Sequence, residues 1–220
     1  MPLPTTKILL GDDHRIVREG LEQVLADAPE IEVVAEAATG PEVLESVQRL
    51  GGPAGLSAVL LDIALPERDG IDVLQALKAQ WPSLPVLMLS TYPEKQYAVR
   101  CIKLGAAGYL NKGAHPDDMV AAVRKVAGGG LYVSAQAAEA LASAAAKTGD
   151  QGTEALSHRE HQVFRLLTAG KTVGEIGAQL GLASNTVSTY RQRILEKTGT
   201  KNDVELALYA QRQLQVRDFP

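Results

Sequence analysis

The sequence predicts two units of different fold class, an α/β unit followed by a smaller all-α unit. Over residues 7–127, short apolar runs alternate five times with segments of helical apolar spacing, which is typical of a parallel sheet covered by helices. Residues 128–153 are rich in glycine and alanine, and residues 154–220 carry four helical patterns with glycine-bearing turns. We therefore predict domains over 1–127 and 154–220, joined by a linker over 128–153 that carries one helix.

The strands of the first unit are short and apolar. The third is the clearest, because Ala58-Val59-Leu60-Leu61-Asp62 is a continuous apolar run that ends in an acid, as buried parallel strands do. The predicted strands cover residues 7–11, 32–37, 58–62, 85–90 and 107–110. The predicted helices lie near residues 16–25, 43–50, 69–81, 94–104 and 116–127. Five strand–helix units with right-handed crossovers match the doubly wound, flavodoxin-like strand order 2-1-3-4-5.

Polar residues follow several of these strands directly. Because the carboxyl ends of parallel strands meet at one edge of a sheet, we expect these residues to lie close together. They are Asp12 and Asp13 after the first strand, Asp62 at the end of the third, Ser90 at the end of the fourth and Lys112 after the fifth. Three neighbouring carboxylates repel one another unless a hard cation binds among them, and Mg²⁺ prefers such oxygen ligands.

This set of residues fits phosphoryl transfer to a carboxylate. We predict that Asp62 is the nucleophile, that Lys112 pairs with it and then with the transferred oxygens, and that the Ser90 hydroxyl donates to the same oxygens. An isolated aspartate would more often only cap a strand or helix. The neighbouring acids, hydroxyl and lysine favour the nucleophile.

The linker and the second unit are predicted to be helical. The alanine-rich stretch 135–146 is helix-prone, and residues 147–153 read as a flexible tether. Beyond it, a short helix over 173–180 is joined by a glycine-bearing turn to a helix over about 185–197, which is the pattern of a helix-turn-helix. A fourth helix is predicted over about 203–214.

The third helix of the second unit has two different faces. Val187, Tyr190 and Ile194 are spaced to face a small core. Short polar groups on the other face can reach base edges in a DNA major groove, and flanking cations can contact phosphates. The candidates are Asn185, Thr186, Ser188, Thr189, Arg191, Gln192, Arg193, Lys197 and Lys201. On spacing alone, a solvated helix face fits this pattern equally well.

Composition limits the class of protein. The chain has 220 residues, 45% of them hydrophobic, and its 22 basic and 26 acidic residues are unevenly distributed. Residues 1–128 hold 12 basic and 17 acidic residues, whereas residues 154–220 hold 9 and 7, so the two units are expected to have different partners. One cysteine excludes an intrachain disulfide, and no apolar segment resembles a signal or membrane-spanning sequence. We expect a soluble cytoplasmic protein without a membrane partner.

The motifs of the first unit resemble the receiver domain of two-component response regulators. They are Asp12-Asp13-His14, the stretch from Leu61-Asp62-Ile63 through Leu65-Pro66 to Asp69-Gly70, Leu89-Ser90, and Gly105-Ala106 through Tyr109-Leu110 to Lys112. The resemblance implies that a sensor histidine kinase phosphorylates Asp62. It also implies that Asp13, Asp62 and the Ala64 carbonyl hold Mg²⁺ with help from Asp12. Ser90 and Tyr109 match the pair that switches conformation.

The second unit resembles the LuxR-type DNA-binding domain. The matching motifs include Leu156-Ser157, Arg159-Glu160, Gly170-Lys171, Glu175-Ile176, Thr186-Val187 and Ile194 with Lys197. Together the two resemblances imply a NarL/FixJ-type response regulator that forms a homodimer on double-stranded DNA through its fourth helix. The apolar candidates for that contact are Val204, Leu206, Ala207 and Leu208.

The sequence thus predicts a transcription regulator whose DNA binding is controlled by phosphorylation of Asp62. It is not expected to be an enzyme beyond catalysing its own phosphorylation and dephosphorylation. One alternative is a DNA-binding regulator independent of phosphorylation, with a receiver that is only structural. Another is a phosphatase with an aspartate nucleophile, but such enzymes favour a second acid two residues on, where this chain has Ala64.

Overall fold

The chain forms two compact units, residues 1–148 and 149–220. A computed structural model describes residues 5–91, 94–146, 156 and 158–217. Within these described residues, no helix combines the length and the apolarity that crossing a bilayer requires. The two units are considered separately below.

The first unit is built on a five-stranded parallel sheet in the order β2-β1-β3-β4-β5, which confirms the predicted topology. The strands are β1 (Thr6–Gly11), β2 (Ile31–Ala37), β3 (Ala58–Asp62), β4 (Val86–Ser90) and β5 (Gly108–Asn111). All five residues of β3 and of β4 are buried, as expected for central strands covered on both faces. Each predicted strand end lies within one residue of the observed end, and β5 begins and ends one residue later than predicted.

Alternate residues of each strand contact the helices on opposite faces of the sheet. Ile8 and Leu10 of β1 pack with α1 (Arg15–Ala26) and α5 (Pro116–Ala127), whereas Leu9 packs with the helices of the other face. The helices of that other face are α2 (Gly40–Arg49), α3 (Gly70–Gln80) and α4 (Glu94–Lys103). A 3-10 turn over Gly52–Ala54 was not predicted. Helices on both faces leave the carboxyl edge of the sheet as the open side.

The predicted linker helix, α6 (Ala135–Ala146), packs on the first unit against α4. Its Ala137 is fully buried in the same apolar cluster as Tyr97 and Tyr109. Just before α6, the Tyr132 backbone N–H donates to the Ala107 carbonyl at 2.8 Å, and Tyr132 forms a parallel bridge with Gly108 at the outer edge of β5. The predicted tether, residues 147–153, lies outside the described residues, and the functional division at residues 127 and 153 stays a prediction.

The described part of the second unit contains four helices, which are α7 (His158–Thr168), α8 (Val173–Leu180), α9 (Ser184–Thr198) and α10 (Asp203–Arg217). Helix α8 begins with a capping box, in which the Thr172 hydroxyl accepts from the Glu175 N–H at 3.3 Å and Glu175 accepts from the Thr172 N–H at 2.8 Å. Gly181 then ends α8 with a left-handed φ of 65°, a conformation that glycine adopts without steric cost. Helices α8 and α9 therefore form the predicted helix-turn-helix.

Candidate functional site

The carboxylates at the ends of β1 and β3 form a cluster at the open edge of the sheet. Asp12 and Asp62 are 1% and 3% exposed, and Asp13 lies beside them nearer the surface. The Asp12 backbone is held on both sides, because its N–H donates to the Ala37 carbonyl at 3.0 Å and its carbonyl accepts from the Arg18 guanidinium at 2.7 Å. The sheet topology thus brings Asp62 next to the sequence-adjacent pair Asp12 and Asp13, as predicted.

Lys112 partly neutralises the buried part of this cluster. Its Nζ lies 2.6 Å from Oδ2 of Asp12 and 2.8 Å from Oδ2 of Asp62. Its backbone N–H donates to the Ser90 carbonyl at 2.8 Å, which fixes the start of the β5–α5 loop against β4. Burial acts to lower the pKa of the Lys112 ammonium, but the carboxylates of Asp62 and Asp12 outweigh it, and the pKa is raised. Lys112 therefore stays cationic beside the acids.

The pKa of the Asp62 carboxyl is changed mainly by burial. Desolvation raises the pKa of its carboxyl, and the Lys112 ammonium opposes this without cancelling it. The neighbouring Asp12 raises the pKa further, and a hydrogen bond from the Ala64 backbone lowers it. The ionised carboxylate is consequently held at a free-energy cost, which further positive charge at the cluster would relieve.

The loop between β3 and α3 brings the start of α3 close to the Asp62 backbone. A Cβ on Gly70 would lie 2.0 Å from the Asp62 carbonyl oxygen, so only glycine allows α3 to begin this close to β3. Asp69 precedes it as the N-cap of α3 and accepts from the Ile71 N–H at 2.8 Å. The Asp-Gly pair thus sets how closely α3 approaches the strand that carries Asp62.

The two predicted switch residues are buried on neighbouring strands. Asp62 pairs with Leu89 in the sheet, so Ser90 is the next residue along β4, and it is 1% exposed. Tyr109 lies opposite Met88 on β5, is fully buried and belongs to the apolar cluster that also contains Tyr97 of α4 and Ala137 of α6. Ser90 therefore lies at the acidic edge, whereas Tyr109 points into the core beneath α4.

The cluster fits a hard divalent cation. One ligand atom from each of Asp12, Asp13, His14 and Asp62 lies within 4.8 Å of the others. Oxygen donors predominate, and two of the carboxylates are almost completely buried, which matches the ligand preference of Mg²⁺. No role at this site was predicted for His14 from the sequence, but its side chain is 64% exposed and its Nδ1 lies 2.7 Å from Oδ1 of Asp13. Its adjacency to two acids was the one signal available.

Helix α9 presents the predicted polar face to solvent. Val187 and Ile194 are fully buried and Tyr190 is half-buried, as the apolar spacing predicted. Among the predicted DNA contacts, the exposed residues are Asn185, Thr186, Ser188, Thr189, Gln192, Arg193, Lys197 and Lys201. The N-cap position of α9 is Ala183, which provides no side-chain hydrogen bond.

Two of the predicted phosphate-binding cations form ion pairs within the unit. The Arg191 Nε lies 2.8 Å from Oδ1 of Asp203 at the start of α10. The Lys197 Nζ lies 2.6 Å from Oε2 of Glu160, a carboxylate that is 2% exposed in α7. The first ion pair links α9 to α10, and the second links α9 to α7. In each pair a cation of α9 stabilises a carboxylate on the adjoining helix. The sequence pattern could not distinguish such cations from those that face solvent.

The apolar candidates on α10 separate into two groups. Leu206 is fully buried in the core with Val187 and Ile194, so its assignment to a dimer surface is wrong. Val204 is 71% exposed and Leu208 is 47% exposed, one helical turn apart on the outer side. Of the four apolar candidates, Val204 and Leu208 are therefore the exposed ones, and Ala207 is half-buried.

Comparison with known proteins follows the same division of the chain. The sequence profile of the response regulator receiver domain matches residues 8–124, more than half of the chain. The chain belongs to the response regulators. The profile of the luxR family of bacterial regulatory proteins matches residues 154–210. This response regulator thus has a receiver domain followed by a DNA-binding domain of LuxR type, the NarL/FixJ arrangement that the resemblance implied.

Curated relatives and solved structures share this arrangement over almost the whole chain. The response regulator GacA of Pseudomonas aeruginosa is 36% identical, covering 94% of this chain and 95% of the relative. The transcriptional regulatory protein UhpA of Escherichia coli is 38% identical, covering 91% and 95%. The response regulator ChrA of a heme-sensing two-component system is 31% identical, with a TM-score of 0.52 and coverage of 96% and 98%. RcsB of Salmonella enterica, solved on promoter DNA, is 24% identical with a TM-score of 0.58 and coverage of 93% and 98%, which shows the shared fold.

Proposed function

We propose that Asp62 accepts a phosphoryl group from a sensor histidine kinase and that this modification controls sequence-specific DNA binding by the second unit. The observation that carries the proposal is the buried Asp62 carboxylate, 2.8 Å from the Lys112 ammonium, at the open edge of the sheet. Burial raises the pKa of this carboxyl and keeps competing water away, while Lys112 supplies a positive charge next to the reacting oxygen.

In the proposed reaction, an Asp62 carboxylate oxygen attacks the phosphorus of a phosphohistidine. The new O–P bond forms as the P–N bond breaks, and the imidazole nitrogen of the kinase leaves with the electron pair and takes up a proton. Lys112 pairs with the transferred oxygens while it keeps its contact with Asp12. The chemistry is limited to this chain's own phosphorylation and its hydrolytic reversal.

We propose that Asp12, Asp13, Asp62 and the Ala64 carbonyl hold a Mg²⁺ ion at this edge. The ion supplies positive charge that offsets the repulsion between the carboxylates and the transferred phosphoryl oxygens. The backbone contacts of Asp12 with Ala37 and Arg18 keep the first acid in place for such binding.

Ser90 and Tyr109 are proposed to convert the modification into a conformational change. The Ser90 hydroxyl lies one residue beyond the sheet partner of Asp62, where it can donate to a phosphoryl oxygen. Movement of β4 toward the phosphoryl group would change the space available to Tyr109, since the two strands are hydrogen-bonded neighbours. The unphosphorylated and phosphorylated forms are thus two packings of the same face of the sheet.

We propose that α9 enters the major groove of DNA and that the active protein is a cytoplasmic homodimer. Asn185, Thr186, Ser188, Thr189 and Gln192 would face the base edges, with Arg193 and Lys201 at phosphates. Arg191 and Lys197 would hold α9 in position through Asp203 and Glu160. The exposed Val204 and Leu208 of α10 are proposed as the apolar part of the dimer contact.

The proposal is tested by comparing the wild type with Asp62→Asn. Acetyl phosphate and Mg²⁺ are expected to increase DNA affinity and the dimer fraction of the wild type, and to leave Asp62→Asn unchanged. Asp117→Asn, which removes an acid that is 93% exposed on α5, is the matched control and should respond like the wild type. DNA binding is measured by fluorescence anisotropy with a promoter fragment, and mass by light scattering. An equal response of the wild type and Asp62→Asn would support a regulator that is independent of phosphorylation.

A further inference from the structure

His14 lies at the acidic cluster but has no part in the function proposed above. Its imidazole Nδ1 is 2.7 Å from Oδ1 of Asp13 and 3.5 Å from Oδ1 of Asp12. The side chain is 64% exposed, and although His14 is the N-cap residue of α1, its imidazole makes no capping hydrogen bond. Packing and helix capping therefore do not explain why the imidazole lies beside the carboxylates.

The donor atoms of His14 and the aspartates are close enough to share one ion. The four ligand atoms lie within 4.8 Å of one another. In an octahedral site with bonds of about 2.1 Å, ligand atoms are about 3.0 Å apart when adjacent and about 4.2 Å apart when opposite. The distances from His14 Nδ1 to the oxygens of Asp13 and Asp12, 2.7 Å and 3.5 Å, are close to the spacing of adjacent ligands of one cation.

Lys112 and His14 approach different oxygens of the cluster. The Lys112 ammonium contacts Oδ2 of Asp12, whereas the His14 imidazole lies near Oδ1 of the same carboxylate. The His14 backbone N–H also donates to that Oδ1 at 2.9 Å. The ammonium and the imidazole thus do not compete for one oxygen. This backbone contact also fixes His14 at the acidic edge, while its exposed side chain keeps the freedom to adjust.

The charge of the cluster leaves room for a neutral ligand. Three carboxylates and the Lys112 ammonium carry a formal charge of −2, which one divalent cation neutralises. A neutral imidazole adds a donor atom without adding charge. Nitrogen donors distinguish between cations, because Mg²⁺ holds to oxygen ligands and water, whereas first-row transition ions also bind imidazole readily.

We propose that His14 is a further ligand of the cation at this cluster and that it shifts the preference of the site from Mg²⁺ towards first-row transition ions such as Mn²⁺. The inference rests on the proposed function, because it assumes that Asp12, Asp13 and Asp62 hold the cation. It adds a residue that selects between metals to a site otherwise built from oxygen donors.

The test uses Mn²⁺ and Mg²⁺ alone as probes of the full-length chain. Electron spin-echo envelope modulation of bound Mn²⁺ should show coupling to a directly bound imidazole nitrogen in the wild type and none in His14→Ala. Calorimetric titration should show Mn²⁺ affinity falling about tenfold or more in His14→Ala, with Mg²⁺ affinity unchanged. His115→Ala is the matched control, because His115 is also exposed, at 72%, and its Nδ1 lies 3.4 Å from a single carboxylate, that of Asp117.

The possible outcomes separate this inference from the proposed function. Suppose that Asp13→Asn loses both ions, that His14→Ala binds them like the wild type, and that neither the wild type nor His14→Ala shows nitrogen coupling. These results would overturn the role of His14 and leave the proposed acidic site intact. Equal weakening of Mn²⁺ and Mg²⁺ in His14→Ala also overturns it, because His14 would then only position Asp13. Unchanged binding of both ions in Asp13→Asn would instead contradict the proposed cation site itself.

Discussion

At the scale of single residues, the acidic edge is held under electrostatic strain. Asp62 is buried beside Asp12, and one ammonium, that of Lys112, serves both carboxylates. Desolvation raises the pKa of the Asp62 carboxyl despite this ammonium. Folding therefore places the ionised Asp62 carboxylate in a buried site at a cost in folding free energy, and binding of a cation nearby offsets that cost.

This strain predicts that Asp62→Asn stabilises the first unit in the absence of divalent cations. The neutral amide removes the desolvation cost, while Asp12 remains as the partner of Lys112. At pH 7 we expect a gain of about 1 kcal/mol, which corresponds to a rise of about 2–4 °C in the unfolding midpoint for a chain of this size. The measurement is thermal unfolding in EDTA, followed by circular dichroism.

The gain in stability of Asp62→Asn over the wild type should decrease as pH falls. Because the pKa of Asp62 is higher in the folded state, the folded wild type binds this proton more tightly than the unfolded chain does. The wild type therefore loses stability as pH rises through the folded-state pKa, and the difference from the variant narrows as pH falls. A difference that grows on acidification would show that Lys112 outweighs burial.

Much of this residue-scale picture was predictable from sequence. The acids, Ser90 and Lys112 were placed together because parallel strands end at one edge, and the structure confirms the predicted pairing of Lys112 with Asp62. The contact of Lys112 with Asp12 was not predicted. The contacts of His14 and Arg18 were not predictable, since they depend on the direction of side chains within one helical turn. The same limit applies to Arg191 and Lys197, whose partners lie on other helices.

At the scale of elements, α6 is an integral part of the first unit. Ala137 is fully buried against the cluster that contains Tyr97 and Tyr109, whereas the next residue, Ala138, is exposed. The sequence predicted the helix correctly but not its packing, because an alanine-rich stretch shows which residues form a helix and gives little signal of which face is buried. Helix α6 thereby contacts the helix that covers the proposed switch tyrosine.

The packing of α6 predicts effects of different size for substitutions at two neighbouring alanines. Ala137→Leu should destabilise the docked helix by about 1–3 kcal/mol, because the larger side chain has to enter a filled apolar cluster. Ala138→Leu, on the exposed side of the same helix, is the matched control and should have little effect. Amide hydrogen exchange over residues 135–143 measures the difference. Equal exchange in the two variants would contradict the packing described.

A second element-scale prediction concerns the ion pair between α7 and α9. Lys197→Met should destabilise the second unit by about 2 kcal/mol, since the Glu160 carboxylate is 2% exposed and loses its ammonium. The estimate is kept low because Lys197 is itself 39% exposed and partly screened by water. Lys201→Met, which removes an exposed lysine, should change stability by less than about 0.5 kcal/mol.

Urea unfolding of the full chain measures this pair of variants. If Lys197 served DNA binding alone, Lys197→Met and Lys201→Met would unfold at the same urea concentration. Adding Glu160→Gln to Lys197→Met should restore part of the lost stability, because the buried negative charge is then removed.

At the scale of the whole molecule, charge is distributed unevenly between the two units. The first unit is acidic, and Arg191 and Lys197 of the second unit are paired with carboxylates. Arg193 and Lys201 remain exposed near the polar face of α9. We therefore expect a shallow dependence of DNA affinity on salt, with base contacts from short polar side chains carrying much of the discrimination.

This charge distribution predicts the effect of Arg193→Gln. Loss of one phosphate contact should weaken binding to specific and unrelated DNA alike, and should reduce the slope of log affinity against log salt by about 0.9 per protomer. Arg49→Gln, which removes an exposed arginine of the first unit, is the control and should leave the slope unchanged. The measurement is anisotropy at several salt concentrations, and an unchanged slope in Arg193→Gln would place that residue away from the phosphates.

The bridge made by Tyr132 also bears on self-association. An outermost strand with free amide and carbonyl groups is a template on which another molecule can add a strand and begin to aggregate. Here Tyr132 occupies the backbone groups of Ala107 and Tyr109 on that margin, and the opposite margin carries the charged Glu32 and Glu36. Both margins thus disfavour continuation of the sheet from one molecule into the next, which leaves helical surfaces for any regulated pairing of two copies.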